Sequence, residues 1–295
     1  MEATSVSGRP ETFPARAQLT SLSVPLLASL AALGGLLLWA YWPVIPPLVM
    51  QWWNEEEYSH GFLIPIIAGW LIWSKRAEIA PLAVSPAYTG LAAMGLAIVM
   101  YVIGAVGADL FLQRLSMITM IVGGVLFTAG WAVFRVISFP LAYLLLMVPL
   151  PGIVFNSIAF PLQLLAAQIA TAVLQAFSIP VFREGNILHL ASASLDVEEA
   201  CSGIRSLLSL TALALLMTYL SGQSRKAKVA ILVLVVPVTI VANVFRVAAT
   251  GFIAHYISTE AAIEVFHDFA GMLVFLLAAG LLVLLSRLLR LVGIR

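Results

Sequence analysis

The stretch Val229–Val241 reads VAILVLVVPVTIV, and a helix of this sequence presents apolar side chains on every face. Apolar runs of this kind recur from Ser23 to the end of the chain, and a helix of about 20 residues crosses the hydrocarbon core of a membrane. Of the 295 residues, 62% are hydrophobic and only 10% are charged, which is far outside the range of a soluble domain. The sequence therefore predicts an all-α, polytopic membrane protein.

The apolar runs predict a bundle of about eight transmembrane helices, with one further segment, Phe155 to Phe182, that is re-entrant or interfacial. Asparagine and glutamine side chains interrupt the apolar surface of this segment, and the turn Pro149–Gly152 precedes it. Residues 1–22 are expected to form a cytoplasmic N-terminal tail, and residues 23–295 a single transmembrane domain. The expected crossings are residues 24–48, 60–73, 87–107, 115–134, 136–151, 203–221, 229–252 and 268–286.

Loop cations predict the orientation of the bundle, because lysine and arginine in short loops are retained on the cytoplasmic side. The groups in this chain agree on one side only if the stretch 136–182 crosses the membrane once. The acidic loop Glu55–Glu57 and the segments 183–200 and 254–268 then lie on the opposite, extracytoplasmic side. The expected cytoplasmic groups are Lys75 and Arg76; Arg135; Arg225, Lys226 and Lys228; and Arg287, Arg290 and Arg295.

The extracytoplasmic segment 183–200 is expected to contain a short hairpin on the membrane surface, since side chains alternate between two faces from Ile187 to Leu190. Asp196 is a candidate N-cap for the helix that follows, with Glu199 three residues later. This orientation brings Cys201, His60 and His267 to the same side of the membrane.

Cys201 is the only cysteine of the chain and lies in EEACSGIR, residues 198–205, where a polar loop enters an apolar run. A lone buried cysteine is most often an inert small hydrophobe. Near a helix start, however, the macrodipole stabilises a thiolate, and Arg205 follows one turn later. Glu198 and Glu199 act against the thiolate unless they pair with arginine. The position favours a nucleophilic cysteine.

Arg246 interrupts an apolar run between Val241 and Ala248. An arginine within the hydrocarbon costs at least about 2.5 kcal/mol, so it needs a polar partner or a cavity. One interpretation is a structural ion pair with an acidic residue such as Glu264 or Asp268. The other is a fixed cation that stabilises negative charge developing in a reaction, oriented by Asn243 three residues earlier.

Histidines are the candidates for proton transfer. His267 lies at the predicted start of the last helix, where it acts as a general acid or base or is simply solvated at the interface. His60 is expected to assist the reaction or bind substrate, with a plain interfacial histidine as the alternative, and His189 and His255 are expected to be interface residues. No two histidines are three or four residues apart, so no metal site is expected.

Three blocks of this sequence resemble the signature blocks of the exosortase/archaeosortase family. They are Glu199–Leu207 around the cysteine, Asn243–Arg246, and His267–Gly271. Two flanking stretches are also similar to the family: Tyr58–Pro65, and Pro149–Pro151 leading to Phe160–Gln163.

The resemblance implies a bacterial inner-membrane cysteine protease or transpeptidase whose active site faces the periplasm. Its Cys, Arg and His set corresponds to Cys201 as nucleophile, Arg246 at the oxyanion and His267 in proton transfer. Its substrates resemble exported proteins with a C-terminal Pro-Glu-Pro-type motif, a transmembrane helix and a basic tail, and such systems accompany exopolysaccharide production. No cofactor and no nucleic-acid partner are expected. The residues expected to bind substrate or support the site are Glu199, Arg205, Asn243 and His60.

Two other functions are consistent with the residues alone. A transporter or channel would use Arg246 to bind an anion, although the sequence contains no detectable inverted repeat of the kind many transporters have. A noncatalytic assembly factor for exopolysaccharide export would leave the tails of exported proteins uncut.

Overall fold

The structure is a computed structural model that describes Ala32 and residues 34–191, 194–197, 203–257 and 259–291; for helix residues 203–205, 259–270 and 291 it describes the backbone alone. About 81% of the described residues are helical. In chain order the elements are α1 Ile45–Asn54, a first 3-10 helix Glu56–Phe62, α2 Leu63–Ser74, α3 Arg76–Ile79, α4 Thr89–Val106, α5 Leu110–Tyr143, a second 3-10 helix Leu144–Met147, α6 Gly152–Ala176, β1 Val181–Glu184, β2 Ile187–Leu190, β3 Ser194–Asp196, α7 Gly203–Leu220, α8 Arg225–Tyr256 and α9 Thr259–Leu291.

The chain forms two compact units, residues 1–43 and 44–295. In the first unit, residues 34–40 are helical, and the predicted tail 1–22 lies outside the described residues. The second unit carries all the elements named above.

Within the described ranges, five helices are long and apolar enough to cross a membrane. The prediction of an all-α, multi-pass membrane protein is therefore confirmed, whereas the count of eight crossings is not. The predicted crossing 60–73 contains only the 12-residue helix α2, which is shorter than the roughly 20 residues a perpendicular span needs. The five helices are α4, α5 with the second 3-10 helix, α6, α8 and the Gly271–Arg290 part of α9.

Helix α5 is interrupted at Gly130, which has φ 82° and ψ −177°. On one side of the break, Arg114 donates a hydrogen bond of 2.6 Å to the side-chain oxygen of Gln51. On the other side, Trp52 donates one of 2.9 Å to the carbonyl of Met147. A straight helix would separate residues 114 and 147 by about 50 Å, yet their partners are neighbours in sequence. The chain therefore doubles back at Gly130 and forms two helical segments, close to the predicted ranges 115–134 and 136–151.

Glycines allow α4 to approach the first half of α5 closely. A Cβ at Gly90 would collide with the backbone nitrogen of Phe127, and a Cβ at Gly123 would lie 2.8 Å from the backbone nitrogen of Met94. Without a hydrophobic driving force in lipid, such close backbone packing is a main source of helix association. The two helices thus form a tight antiparallel pair.

Seven of the cations predicted to be cytoplasmic lie together at one end of the second unit, the basic end, and Arg295 lies outside the described residues. Lys75 follows α2 and interacts electrostatically with Tyr219 near the end of α7. Gln223, in the turn before α8, donates hydrogen bonds to the carbonyl oxygen (3.2 Å) and the hydroxyl (3.1 Å) of Ser286 in α9. The basic end therefore carries Lys75, Arg76, Arg225, Lys226, Lys228, Arg287 and Arg290.

Helix α6 is a single run of 25 residues and is long and apolar enough to cross a membrane, whereas the sequence predicts that the segment Phe155 to Phe182 is re-entrant or interfacial. The contacts at its two ends show where it lies. The Phe155 ring near its start lies 6.1 Å from the ring of Tyr58, and Phe177 after its end lies 5.1 Å from the ring of Phe252, late in α8. Both ends of α6 are thus far from the basic end.

The strands form one antiparallel sheet in the order β1-β2-β3. The pairing of β2 with β3 is the expected hairpin, whereas β1 was not predicted, because its residues follow directly on the apolar run of α6. Leu188 and Leu190 face the core, with 0% and 8% of their surface exposed. The carboxylate of Asp196 accepts a hydrogen bond of 3.1 Å from Asn186, and Glu199, the other half of the predicted cap, lies outside the described residues.

Gly130→Ala is expected to destabilise the protein by about 1 to 3 kcal/mol, because this backbone conformation is essentially restricted to glycine and the new methyl group would meet the carbonyl oxygen of Ser85. Gly124→Ala is the matched control: its methyl group would have no neighbour within 4 Å and alanine favours helix. Thermal unfolding of the two purified variants in the same detergent tests this. Equal unfolding midpoints would contradict the reversal at Gly130.

Candidate active site

Arg246 is buried between α8 and α9, with 4% of its surface exposed. A Cβ added to Gly271 of α9 would lie 3.6 Å from Nη2 of Arg246 and 3.7 Å from its Cζ. The guanidinium therefore packs against the backbone at position 271, and a side chain larger than a methyl group at this position would collide with it. The hydroxyl of Thr250, one turn later, donates a hydrogen bond of 2.9 Å to the backbone carbonyl of Arg246.

The depth of Arg246 follows from the length of α8. The helix has 32 residues and is about 48 Å long, so it exceeds the roughly 30 Å of a hydrocarbon core. Arg246 lies about 31 Å along the axis from Arg225 at the basic end. It is therefore near the far boundary of the hydrocarbon, where burying a cation costs less than at the centre.

Asn243 lies three residues before Arg246, on the same face of α8 as expected. Its side chain is buried, with 6% of its surface exposed. With Leu162 of α6 and Leu207 of α7 it lines a small gap between three helices. Both Asn243 and Arg246 have interaction partners in the structure. The alternative of an ion pair from Arg246 to Glu264 or Asp268 depends on side chains outside the described ones.

The other predicted catalytic residues are placed only in part. Cys201 and Glu199 lie outside the described residues, and for Arg205 and His267 only the backbone is described. His267 precedes Gly271 by one turn of α9, about 6 Å along the helix axis. The backbone of His267 is therefore one turn from the residue against which Arg246 packs.

Among the described residues, Gly271 lines a cavity of about 770 Å³ together with residues of the first 3-10 helix, α2 and α7. Its lining includes Glu56, Ser59 and His60 of the first 3-10 helix, and most of its other lining side chains are apolar. The remaining lining residues are Trp53, Leu63, Ile64 and Ile67; Tyr143; Ser206, Ser209, Ala212, Leu213 and Leu216 of α7; and Gly271, Met272 and Phe275 of α9.

His60 is held in the wall of this cavity by tight packing behind it. A Cβ on the next residue, Gly61, would collide with the indole of Trp52, whose Nε1 is hydrogen-bonded to Met147. Burial lowers the pKa of His60 below its ordinary value, and backbone hydrogen bonds at Leu146 and Glu57 raise it in part.

The remaining described histidines are apart from this region. His189 in β2 forms a hydrogen bond of 2.8 Å with Ser194 and lies 3.5 Å from the carboxylate of Glu184. His255 is exposed near the end of α8. Within the described part of the chain, no three His, Cys, Asp or Glu residues are grouped to hold a metal ion.

Sequence reasoning missed several residues around the site. Ser206 and Ser209 line the cavity, and Gly271 makes room for Arg246. Gly271 follows His267 by four residues, and residues at this spacing share a helix face. This spacing could have indicated that Gly271 lies beside the site. Among the described side chains, Arg114 is a second buried arginine, with 3% of its surface exposed and a hydrogen bond to Gln51. Its apolar surroundings in the sequence would have indicated it.

Comparison with known proteins assigns the chain to a family. Residues 52–284 match a family model described as transmembrane exosortase (Exosortase_EpsH). No curated protein and no solved structure matches the chain significantly. The matched region contains Arg246, Gly271, His60 and Cys201. It covers more than three quarters of the sequence, so the chain belongs to the transmembrane exosortase family.

Proposed function

We propose that this protein is a membrane-embedded cysteine protease or transpeptidase, which cleaves the C-terminal sorting signal of exported proteins through a thioacyl intermediate. Family membership supports an exosortase-type membrane protein. The substrates would be exported proteins with a Pro-Glu-Pro-type motif, a transmembrane helix and a basic tail.

The observation that carries the proposal is the placement of Arg246. Its guanidinium is buried, lies against Gly271 and is one turn of α9 from the backbone of His267. A fixed cation in surroundings of low dielectric stabilises a developing oxyanion strongly, because its hydrogen-bond donors need no reorganisation during the reaction.

Chain connectivity supports the participation of Cys201. On its N-terminal side, Val197 belongs to the same buried cluster as Val247 and Ala248, the residues that follow Arg246. On its C-terminal side, Ser206 lines the cavity that Gly271 also lines. Val197 is four residues and Ser206 is five residues from Cys201, and these lengths of chain span at most about 14 Å and about 18 Å. Cys201 is therefore tethered between a point beside Val247 and Ala248 and a point in the cavity that Gly271 lines.

The proposed reaction has two steps. The Cys201 thiolate attacks the scissile carbonyl, Arg246 stabilises the oxyanion, and the C–N bond breaks as His267 protonates the departing amine. Water or another acceptor then attacks the thioacyl carbon and passes its proton to His267, which gave up a proton in the first step, while the C–S bond breaks and the thiolate is regenerated. Arg205 is proposed to support the thiolate, Glu199 to pair with an arginine or bind substrate, and Asn243 to orient Arg246.

The sidedness of the reaction follows from the basic end. If the cations there are cytoplasmic, as the distribution of lysine and arginine predicts, Arg246 lies near the periplasmic boundary of the inner membrane. The sheet, packed on the same end of α8 as Ala248, would then lie on the periplasmic side, where exported substrates arrive.

Cys201→Ala is expected to abolish cleavage of a candidate substrate while the protein still inserts and accumulates, because no other thiol is present. Mass spectrometry of the substrate C-terminus, in cells with wild-type or variant protein, is the measurement. Full processing by the alanine variant would exclude the cysteine mechanism, and uncut tails with the wild type would favour a noncatalytic assembly factor.

Arg246→Lys is expected to lower the rate of cleavage by about 100-fold or more, which is the typical loss when an oxyanion donor is removed. An ammonium does not reproduce the fixed donors of a guanidinium. Arg135→Lys is the control, because Arg135 is exposed. Restored activity in the Arg246→Lys variant would reduce Arg246 to a charge partner.

Gly271→Leu is expected to lower cleavage to a similar extent by displacing the guanidinium, whereas Gly271→Ala, whose methyl group would make an ordinary contact at 3.6 Å, should retain most activity. Gly280→Leu on the same helix is the control, since position 280 has no neighbour within 4 Å. Cleavage rates normalised to folded protein test this. Equal rates for the two leucine variants would remove the role of the Arg246–Gly271 contact.

A further inference from the structure

We propose that the start of α8 and the end of α9 together bind an anionic phospholipid in the leaflet that contains the basic end. Five cations hold the headgroup, and the acyl chains lie along the apolar side chains next to them. This inference does not depend on the proposed cleavage reaction. The five cations, called here the α8–α9 cation group, are Arg225, Lys226, Lys228, Arg287 and Arg290.

Contacts between α8 and α9 bring the two parts of this group together. Gln223 lies two residues before Arg225 and donates hydrogen bonds to the carbonyl oxygen (3.2 Å) and the hydroxyl (3.1 Å) of Ser286, the residue before Arg287. The side chain of Ser224 caps the first turn of α8. The fold therefore fixes the cations of α8 beside those of α9.

The charge of this group is not balanced within the described part of the chain. None of the five cations forms a salt bridge or a side-chain hydrogen bond with a described residue. The first turn of α8 contains no acidic residue. Because like charges held close together repel each other, an anion from outside the chain that binds among them stabilises this end of the protein.

The other two cations of the basic end differ from the α8–α9 cation group, because they have partners within the protein. Lys75 forms a salt bridge of 2.7 Å with Glu78. The Cζ atom of Arg76 lies 4.0 Å from the centre of the Trp73 ring, and its Nη1 donates a hydrogen bond of 3.1 Å to the Trp73 carbonyl. Retention of loop cations on one side of the membrane applies to both sets alike, so it does not account for this difference.

The surroundings of the α8–α9 cation group indicate which kind of anion fits. Val229 and Val233 are exposed and follow Arg225 at intervals of four residues, on one face of α8. Leu284 is exposed and precedes Arg287 by three residues on α9. Both helices are long and apolar enough to span a membrane, so these exposed side chains contact acyl chains. An anion that itself carries acyl chains matches both the cations and the apolar surface, whereas a free phosphate matches the cations alone.

The experiment measures thermal unfolding of the full-length protein in a neutral detergent while phosphatidylglycerol or phosphatidylcholine with the same acyl chains is added. Phosphatidylglycerol is expected to raise the unfolding midpoint of the wild type at concentrations at which phosphatidylcholine has little effect. Each lysine or arginine near anionic lipid contributes about fivefold in affinity. Glutamine at positions 225, 226 and 228 together should therefore raise the phosphatidylglycerol concentration for a half-maximal shift by about 100-fold, and Arg287→Gln with Arg290→Gln by about 25-fold.

Matched variants separate this site from the general charge of the basic end. Lys75→Gln with Arg76→Gln also removes two cations, yet it should weaken binding far less than the Arg287 and Arg290 pair, because Lys75 and Arg76 already have protein partners. Arg225→Lys with Arg287→Lys keeps the charge and should bind nearly as the wild type does. Added salt should weaken the effect of phosphatidylglycerol, because it screens exposed charges. Inorganic phosphate at the same concentrations should leave the unfolding midpoint unchanged.

Three results would overturn the inference. Equal stabilisation of the wild type by the two lipids would exclude recognition of an anionic headgroup. Equal weakening by the two double glutamine variants would reduce the effect to the overall charge of the basic end. A full shift with inorganic phosphate alone would indicate a site for a free anion. The comparison of lipids on the wild type and the lysine variants decide the matter even if a glutamine variant does not fold, and none of these measurements involves cleavage of a substrate.

Discussion

A guanidinium inside an apolar bundle must exchange its water for protein groups, and the burial of Arg246 is the interaction on which the rest of this structure depends. These protein groups surround the guanidinium where α8 and α9 meet, and the absence of a side chain at Gly271 leaves room for it. Since both helices extend well past one membrane thickness, the arginine lies near the far boundary of the hydrocarbon, where a cation is tolerated more easily than at the centre.

The lengths of α8 and α9 also explain the parts of the fold that are not simple crossings. The end of α8 beyond Arg246 is covered by α6 and the three-stranded sheet, which bury Val247 and Ala248 in one cluster. This cluster anchors Val197, the last described residue before the cysteine segment. The sheet thus fixes the position of Val197, from which the chain continues to Cys201 and the helix that follows it.

Glycines set the positions of the other elements by excluding side chains from close contacts. At Gly130 the positive φ and the neighbouring Ser85 carbonyl produce the reversal that returns the chain to Trp52. At Gly61 the indole of Trp52 fills the space of a side chain and thereby fixes His60 in the cavity wall. In a membrane, where burial of apolar surface does not distinguish lipid from protein, such steric fits determine which helices become neighbours.

The sequence by itself determined the class of the protein, because apolar runs longer than a soluble helix needs have no other stable environment. It also indicated the family blocks, Arg246 as a residue that requires a partner, and the common end of the cations, since charge and hydropathy are local properties of the chain. Only the tertiary structure decided that the reversal between the predicted crossings 115–134 and 136–151 lies at Gly130, and that His60 shares a cavity with Ser206 and Gly271. These features depend on contacts between residues far apart in sequence, and a periodic apolar pattern carries no information about which of several equally apolar faces will meet.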